Sequence, residues 1–266
     1  KGFKQLKKQS VLLATWDDHD YGLNDSGEEF REKTGSRENF FRFWNVPKNS
    51  PRRSNPGVCD ARIIDIDGNR LQFILLDTRF FRSELVKKAV REEGEGRYEP
   101  NHRKGSTILG DAQWTWLEEQ LRKPADIRLI VSSIQVVPED HAWECWNNFP
   151  HERKRLFNLI KSTKAEGVLF LTGDRHMAEL SKLTNTPARY PLYDLTSSGL
   201  NMGRGGHWPE PNRHRIGEQF FENNFGLVII DWAKDPRITL EVRDTNDRVV
   251  IHHEVRLSEL QIRRRR

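Results

Sequence analysis

Residues 168–176 have the sequence Val-Leu-Phe-Leu-Thr-Gly-Asp-Arg-His, in which a mostly apolar run is followed at once by a glycine and an Asp-x-His cluster. The apolar run predicts a buried strand, and Gly173 lets the chain turn tightly behind it. Asp174 and His176 are expected on the same side of an extended backbone, because one residue separates them. A buried strand gains nothing from such an ending, so the cluster predicts a metal site. The alternative is a capping aspartate followed by a surface histidine.

A second acidic cluster, Trp-Asp-Asp-His-Asp-Tyr-Gly at residues 16–22, follows the apolar run 11–15, which also predicts a strand. Three carboxylates within four residues repel one another unless a cation or an arginine offsets them, and a metal ion is the most economical offset. Asn24 and Asp25 lie just behind and offer further oxygen ligands. The alternative is the acidic start of a helix with His19 exposed.

The elements between the two clusters favour an α/β fold. Runs at 71–76, 127–131 and 168–172 predict strands, and helices are expected to open at Gly110 and at Pro150. This alternation indicates α/β layers. Beyond residue 190, four short β-branched runs predict antiparallel strands of a second sheet, at 190–195, 225–232, 238–242 and 249–255.

Both clusters follow predicted strands, and ligands bind at the carboxyl ends of strands in layered α/β sheets. We therefore expect Asp18, His19, Asp174 and His176 to converge in one cleft, with Asp18 within about 10 Å of His176.

The composition suits one large soluble domain, and no apolar run approaches the roughly 18 residues of a membrane span. We expect a basic lead-in at 1–9, the domain at 10–256 and a basic tail at 257–266. The net charge of +5 would attract phosphate-bearing molecules over long range. A nucleic-acid partner is not predicted, because aromatic and basic residues are not interleaved on one face.

Four segments together resemble the PhoD-like alkaline phosphatases of the calcineurin-like metallophosphatase superfamily. They lie at 14–25, 76–79, 132–135 and 173–176, and the segments 149–153 and 196–200 also fit. The resemblance implies a four-layer α-β-β-α sandwich, incomplete here at its N-terminus. It further implies a dinuclear metal centre, with calcium and iron as its metals, that hydrolyses small phosphate esters in an exported protein, periplasmic or extracellular.

The resemblance also implies roles for individual residues. Asp18 stands where relatives place an asparagine ligand, and His19 stands where they place the histidine that meets the phosphate; the same histidine is our candidate proton donor to the leaving group. Asp174 and His176 match the downstream metal ligands. Asp17, as a ligand or as a residue that orients one, completes this metal set together with Asn24.

Three further residues are candidates for binding substrate. Arg175 and Arg79 carry planar forks suited to phosphate, although a salt bridge to Asp77 or another carboxylate is the alternative for Arg79. His207 lies in the glycine-rich stretch 203–217, which predicts a mobile loop on the substrate side.

The first metal motifs of the resembling family are absent from these 266 residues. They are a cysteine- or aspartate-bearing strand end and a Gly-Asp-x-x-Tyr-x-Asp-like segment, which we expect upstream of Lys1. The fragment alone is then expected to bind metal weakly and to expose an unpaired strand edge. The competing hypothesis is a catalytically weak phosphate- or nucleic-acid-binding module without a complete metal site.

Overall fold

The computed structural model describes residues 2–55, 57–206 and 208–262. Five α-helices form within these ranges: α1 Gly2–Gln9, α2 Asp18–Tyr21, α3 Lys33–Phe43, α4 Gly110–Leu121 and α5 Pro150–Ser162. Single turns of 3-10 helix lie at Pro51–Ser54, Trp146–Asn148 and Leu257–Leu260.

The same ranges contain twelve strands, which assemble into three sheets. In chain order they are β1 Asp60–Ile66, β2 Asn69–Leu75, β3 Val86–Lys87, β4 Tyr98–Glu99, β5 Ile127–Ser132, β6 Val168–Thr172, β7 Ala178–Leu183, β8 Leu192–Ser197, β9 Arg215–Phe220, β10 Asn224–Asp231, β11 Arg237–Asp244 and β12 Val249–Arg256.

The largest sheet has seven strands in the order β1-β2-β5-β6-β8-β7-β9. Its centre is parallel, with β2, β5, β6 and β8 aligned, and both edges are antiparallel. Strands β5 and β6 are almost wholly buried, as is typical of mostly apolar strands at the centre of a parallel sheet. The predicted strands at 71–76, 127–131 and 168–172 are confirmed, and the fold is a mixed α/β fold.

Helices α4 and α5 connect the parallel strands of this sheet. The predicted apolar stripe of α4 is buried through Trp114 and Leu117, which join the main hydrophobic core. Helix α5 begins at Pro150, where the missing N–H costs no hydrogen bond. The chain turns into β6 at Gly167, whose φ is +67°, and a Cβ there would lie 2.1 Å from the Asp126 carbonyl oxygen. Only glycine fits this turn.

Two strand predictions need correction. Residues 11–15 form no strand: Val11 is 70% exposed and the segment has no backbone partner among the described residues. The run at 190–195 does form a strand, β8, but it belongs to the first sheet because it pairs with β6 and β7. Strands β1, β7 and β9 were not predicted, since their sequences mix charged residues with apolar ones and resemble loops.

The second sheet is antiparallel, in the order β10-β11-β12, as the runs after residue 224 predict. It meets the first sheet where the Ser197 hydroxyl donates to the Asn224 side-chain oxygen at 2.8 Å. A groove of about 570 Å³, lined by apolar side chains such as Phe73 and Val228, lies between the sheets. Among the described residues, β10 pairs on one side only, with β11.

The ends of the described chain differ in packing. Helix α1 buries none of its side chains, whereas Leu257 and Leu260, at the start of the predicted basic tail, join the main core. The predicted tail residues 263–266 lie outside the described residues, as does Lys1 of the predicted lead-in. No described helix is both long enough and apolar enough to cross a bilayer.

Candidate active site

The polar clusters lie together at the carboxyl ends of the central strands of the large sheet, because these parallel strands end in register. Leu75 pairs with Val131, and Ser132 pairs with Thr172, so β2, β5 and β6 finish side by side. The segment after β2 carries Asp77 and Arg79, and the segment after β6 carries Asp174. Ligand sites are expected at such carboxyl ends.

The first acidic cluster reaches this edge without a strand of its own. The Thr15 hydroxyl donates to the Leu76 carbonyl at 2.7 Å, and the buried Trp16 indole donates to Asp77 Oδ1 at 2.8 Å. These two side chains hold the start of α2 against the end of β2. The carboxylates of Asp17 and Asp18 are thereby brought beside Asp174.

Two groups of three carboxylates meet in this region, and they share Asp174. The first group is Asp17, Asp18 and Asp174; the second is Asp25, Glu144 and Asp174, and in each the nearest oxygens all lie within 4.8 Å of one another. Oxygen clusters of this kind suit hard cations such as calcium, magnesium or manganese.

The electrostatics of the groups are unfavourable without a cation. Burial, followed by the nearby charge of Asp17, raises the pKa of Asp174 well above its usual range, although Arg175 opposes the shift. Burial also raises the pKa of Glu144, against the opposing charges of Arg79 and Arg82. Carboxylates crowded into a low-dielectric site need added positive charge to stay ionised.

Arg79 supplies part of that charge from beneath the cleft. Its side chain is fully buried and donates to Glu144 at 2.7 Å and to Asp17, through Nε at 3.0 Å and also through a second nitrogen. The expected role of Arg79 in binding substrate does not fit this position, because its donors already serve carboxylates. The salt-bridge alternative holds, with Asp17 and Glu144 as partners; Asp77 accepts from the Arg79 backbone N–H.

The backbone between Asp174 and His176 is not extended, contrary to the prediction. Both residues have left-handed φ, +69° and +53°, and the Arg175 N–H donates back to the Gly173 carbonyl at 2.9 Å. Residues other than glycine adopt such φ values rarely and at an energetic cost, often at functional sites. The turn directs Asp174 into the carboxylate groups and leaves His176 exposed.

The predicted residues do converge on one cleft of about 200 Å³. Its lining includes Asp17, Asp18, His19, Asn24, Asp174, Arg175 and His176. The His19 side chain is 73% exposed, with its Nε2 3.8 Å from Asp18 Oδ2. Neither His19 nor His176 joins the two carboxylate groups found among the described residues. The histidines therefore lie at the wall of the cleft and the carboxylates at its centre.

Arg175 is committed to carboxylates as well. It lies 3.3 Å from Asp174 Oδ2 and forms a second ion pair with the buried Glu210, which also pairs with Arg204. These contacts fix Arg204 and Glu210 within the predicted mobile stretch 203–217, and the last residues of the stretch belong to β9. His207, the third candidate for binding substrate, lies outside the described residues.

Sequence reasoning missed several residues of the cleft. The sequence around Glu144, Trp-Glu-Cys-Trp at 143–146, contains no motif that predicts a site; its acidic side chain is the one feature that could have marked it as a candidate. Tyr98 donates from its hydroxyl to Asp25 Oδ2 at 2.5 Å, and Arg97 lines the cleft from the segment between β2 and α4. Trp143 lines the cleft too, whereas Trp146 is a core residue.

The two cysteines take no part in the carboxylate groups. Cys59 and Cys145 are free and buried, and burial raises the pKa of each thiol to about 12. In the absence of a metal ion, burial therefore favours the protonated form of both thiols.

Comparison with known proteins matches most of this region to one family. The profile of the PhoD-like phosphatase family matches residues 61–225, which include Arg97, Glu144 and Asp174 but begin after Asp17 and Asp18. Alkaline phosphatase D of Bacillus subtilis (strain 168) is 26% identical over 189 residues, covering 64% of this chain and 32% of the relative.

A solved structure described as "Structure of PhoD" has a similar fold. It superposes with a TM-score of 0.58 at 20% identity, over 89% of this chain and 54% of that one. The chain thus spans about a third of the length of the curated relative and about half of the solved structure.

Proposed function

This chain belongs to the PhoD-like phosphatase family, and we propose that it carries the metal-dependent site of a phosphoester hydrolase with two metal ions. The observation that carries this proposal is the pair of carboxylate groups that share Asp174. A carboxylate common to two groups can bridge two cations, which is the arrangement that two-metal hydrolases use.

The donors present fit hard cations. Asp18, Asp25, Asp174 and Glu144 offer carboxylate oxygens, and exposed Asn24 adds an amide oxygen at the rim. This set favours calcium, magnesium or manganese. If the iron implied by the resemblance were bound, His176 would supply a nitrogen ligand. Asp17 already forms an ion pair with Arg79, so we assign it the role of orienting the neighbouring ligands rather than of binding a metal itself.

Metal ions in such a site would activate water at neutral pH and stabilise the charge of the phosphoryl oxygens. The residues of this chain perform the remaining tasks. His19 is exposed on the cleft wall, free to reach a substrate and to give a proton to the leaving oxygen. Asp18 accepts the Asp25 N–H at 3.0 Å, which couples the two carboxylate groups through the backbone. Arg79 and Arg175 hold the carboxylates in place and offset part of their negative charge.

The finer architecture and the location follow from the family as proposals. A four-layer α-β-β-α sandwich would place α4 and α5 outside the seven-stranded sheet and further helices outside the three-stranded one. The groove between the sheets supports this arrangement: apolar side chains of both sheets line it, so the apolar faces of the two sheets point towards each other, as in a sandwich. Export from the cytoplasm is proposed on the resemblance alone.

The test is hydrolysis of para-nitrophenyl phosphate by the full-length protein with calcium, magnesium or manganese. We expect Asp174→Asn to lower kcat/KM by at least about 100-fold and to weaken metal binding measured by calorimetry. The matched control is Asp67→Asn. Asp67 is an exposed aspartate with a left-handed φ of +53°; it lies in the hairpin between β1 and β2 and belongs to neither of the two carboxylate groups.

Asp67→Asn should leave both measurements unchanged. Full activity in a verified metal-free preparation would contradict the proposal. Phosphate binding without turnover, in the presence of each metal, would favour the binding module instead.

A further inference from the structure

Three arginines surround Trp143 at the wall of the cleft. Their guanidinium carbons lie 5.3 Å from the indole centroid for Arg97, 5.2 Å for Arg175 and 5.9 Å for Arg204. All four side chains line the same cleft as Asp18 and Asp174. A guanidinium over an indole face is held by cation–π attraction, which leaves the N–H groups at its edge available.

Two of the three arginines have carboxylate partners among the described residues, and the third has none there. Arg175 pairs with Asp174 and Glu210, and Arg204 pairs with Glu210. The Arg97 side chain makes no ion pair and no hydrogen bond with any residue in the described ranges 2–55, 57–206 and 208–262. Its Nε is buried and has no partner there. A buried donor without a partner costs free energy, which a hydrogen bond to a ligand oxygen would recover.

Arg97 is held firmly in this position by its neighbours. On one side, a Cβ on Gly96 would lie 2.1 Å from the His141 carbonyl oxygen, so only glycine allows this close approach. On the other side, the Tyr98 N–H donates to the Ala142 carbonyl at 2.9 Å, and its hydroxyl donates to Asp25. The segment is therefore fixed to the backbone before Trp143 and to a carboxylate of the candidate metal site.

We propose that Arg97, stacked on Trp143, binds the phosphoryl oxygens of the substrate. This inference rests on the proposed function and names the cation that receives the phosphate at that same site. Arg97 and Trp143 line the same cleft as the carboxylate groups, and a guanidinium there adds to the positive charge that attracts an anionic ester. Among the arginines around Trp143, Arg97 has the uncommitted fork, and a planar fork suits two oxygens of one phosphoryl group.

The experiment measures equilibrium binding of inorganic phosphate to the full-length, manganese-loaded protein, by calorimetry and by tryptophan fluorescence. We expect Arg97→Gln to weaken phosphate binding by at least about 10-fold. Arg97→Lys keeps the charge but loses the planar fork, so its phosphate affinity should lie between those of the wild type and Arg97→Gln. Manganese affinity should stay within about 2-fold, since Arg97 contacts no carboxylate. The control is Arg103→Gln, at an exposed arginine that also lies between β2 and α4, and it should change neither the phosphate affinity nor the manganese affinity.

The outcomes separate this inference from the proposed function. Unchanged phosphate affinity in both Arg97 variants, or no phosphate binding by the wild type, would overturn the role of Arg97. A wild type that binds phosphate through Arg97 but hydrolyses no ester would overturn only the proposed function. Turnover of ester together with full phosphate affinity in Arg97→Gln would leave the proposed function standing and refute the inference.

Discussion

Asp17 forms a salt bridge with the fully buried Arg79, although 62 positions separate them in the chain. The same guanidinium also binds Glu144, which is 65 positions away on the other side. One arginine thus connects the segment before α2, the segment after β2 and the loop before α5. The three elements meet beneath the two carboxylate groups, so the fold and the candidate metal site depend on the same ion pairs.

Arg79→Gln should destabilise the protein strongly. Removing the guanidinium leaves Glu144 buried with Arg82 Nε, 3.2 Å away, as its one remaining charged partner among the described residues, and Asp17 loses its ion pair with Arg79. Breaking one side of a buried pair typically costs about 3–5 kcal/mol. The free energy of unfolding, measured in urea, should therefore fall by about 3 kcal/mol or more.

Arg31→Gln, at an exposed arginine, is the control and should stay within about 0.5 kcal/mol of the wild type. Loss of less than about 1 kcal/mol in Arg79→Gln would show that Arg79 does not hold these carboxylates. Such a result would also reopen its expected role in binding substrate.

His141 should make the stability depend on pH below neutrality. Burial, followed by the charge of Arg175, lowers the pKa of His141 from 6.5 to about 4, and its Nδ1 accepts the Trp143 N–H at 3.0 Å. The folded state prefers the neutral ring, so its stabilising contribution is complete above pH 6.5 and is lost as pH falls towards 4. A shift of this size corresponds to about 3 kcal/mol.

The measurement compares unfolding free energies of wild type and His141→Gln at pH 7 and pH 4. The advantage of the wild type over the variant should shrink by about 3 kcal/mol between the two pH values. His102→Gln, at an exposed histidine, should show a difference from wild type that does not change with pH. Parallel pH curves for wild type and His141→Gln would refute the assignment.

Tyr98→Phe should weaken metal binding more than it weakens the fold. The lost hydroxyl orients Asp25 in the second carboxylate group, and removing such an outer partner typically lowers metal affinity about 10–100-fold. We expect at least about a 10-fold weaker manganese affinity by calorimetry, with about 1 kcal/mol lost from the unfolding free energy.

Tyr190→Phe is the matched control, because that buried hydroxyl donates to the Ala165 carbonyl, remote from the cleft lining. It should lower stability by a similar amount and leave manganese affinity unchanged. Equal metal affinities in the two variants would argue against Asp25 as a ligand.

Much of the fold was predictable because its central strands carry their own signal. The run at 168–172 is apolar up to Thr172, and the run at 127–131 is apolar except for the buried Arg128, as is typical of strands buried on both faces. Pro150 and Gly167 mark the ends of the helical segment between them. Strands β7 and β9 could not be found in this way. Their buried Glu179 is satisfied by Gln135, Asn212 and Arg215, so a polar sequence is compatible with burial only once those partners are in place.

By itself, the sequence predicted that Asp174 would lie at the carboxyl end of a buried parallel strand, and β6 places it there. It also predicted that Asp18 would lie nearby, but for the wrong reason: residues 11–15 form no strand, and the side chains of Thr15 and Trp16 attach that segment to the end of β2 instead. Only the tertiary structure decided which carboxylates form the groups and which of the three arginines around Trp143 has no ion pair with a described residue. Glu144 and Arg97 come from loops, where no periodicity constrains the position of a side chain. Their places depend on long-range contacts, such as Arg79 with Glu144 and Tyr98 with Asp25, and such contacts exist only in the folded chain.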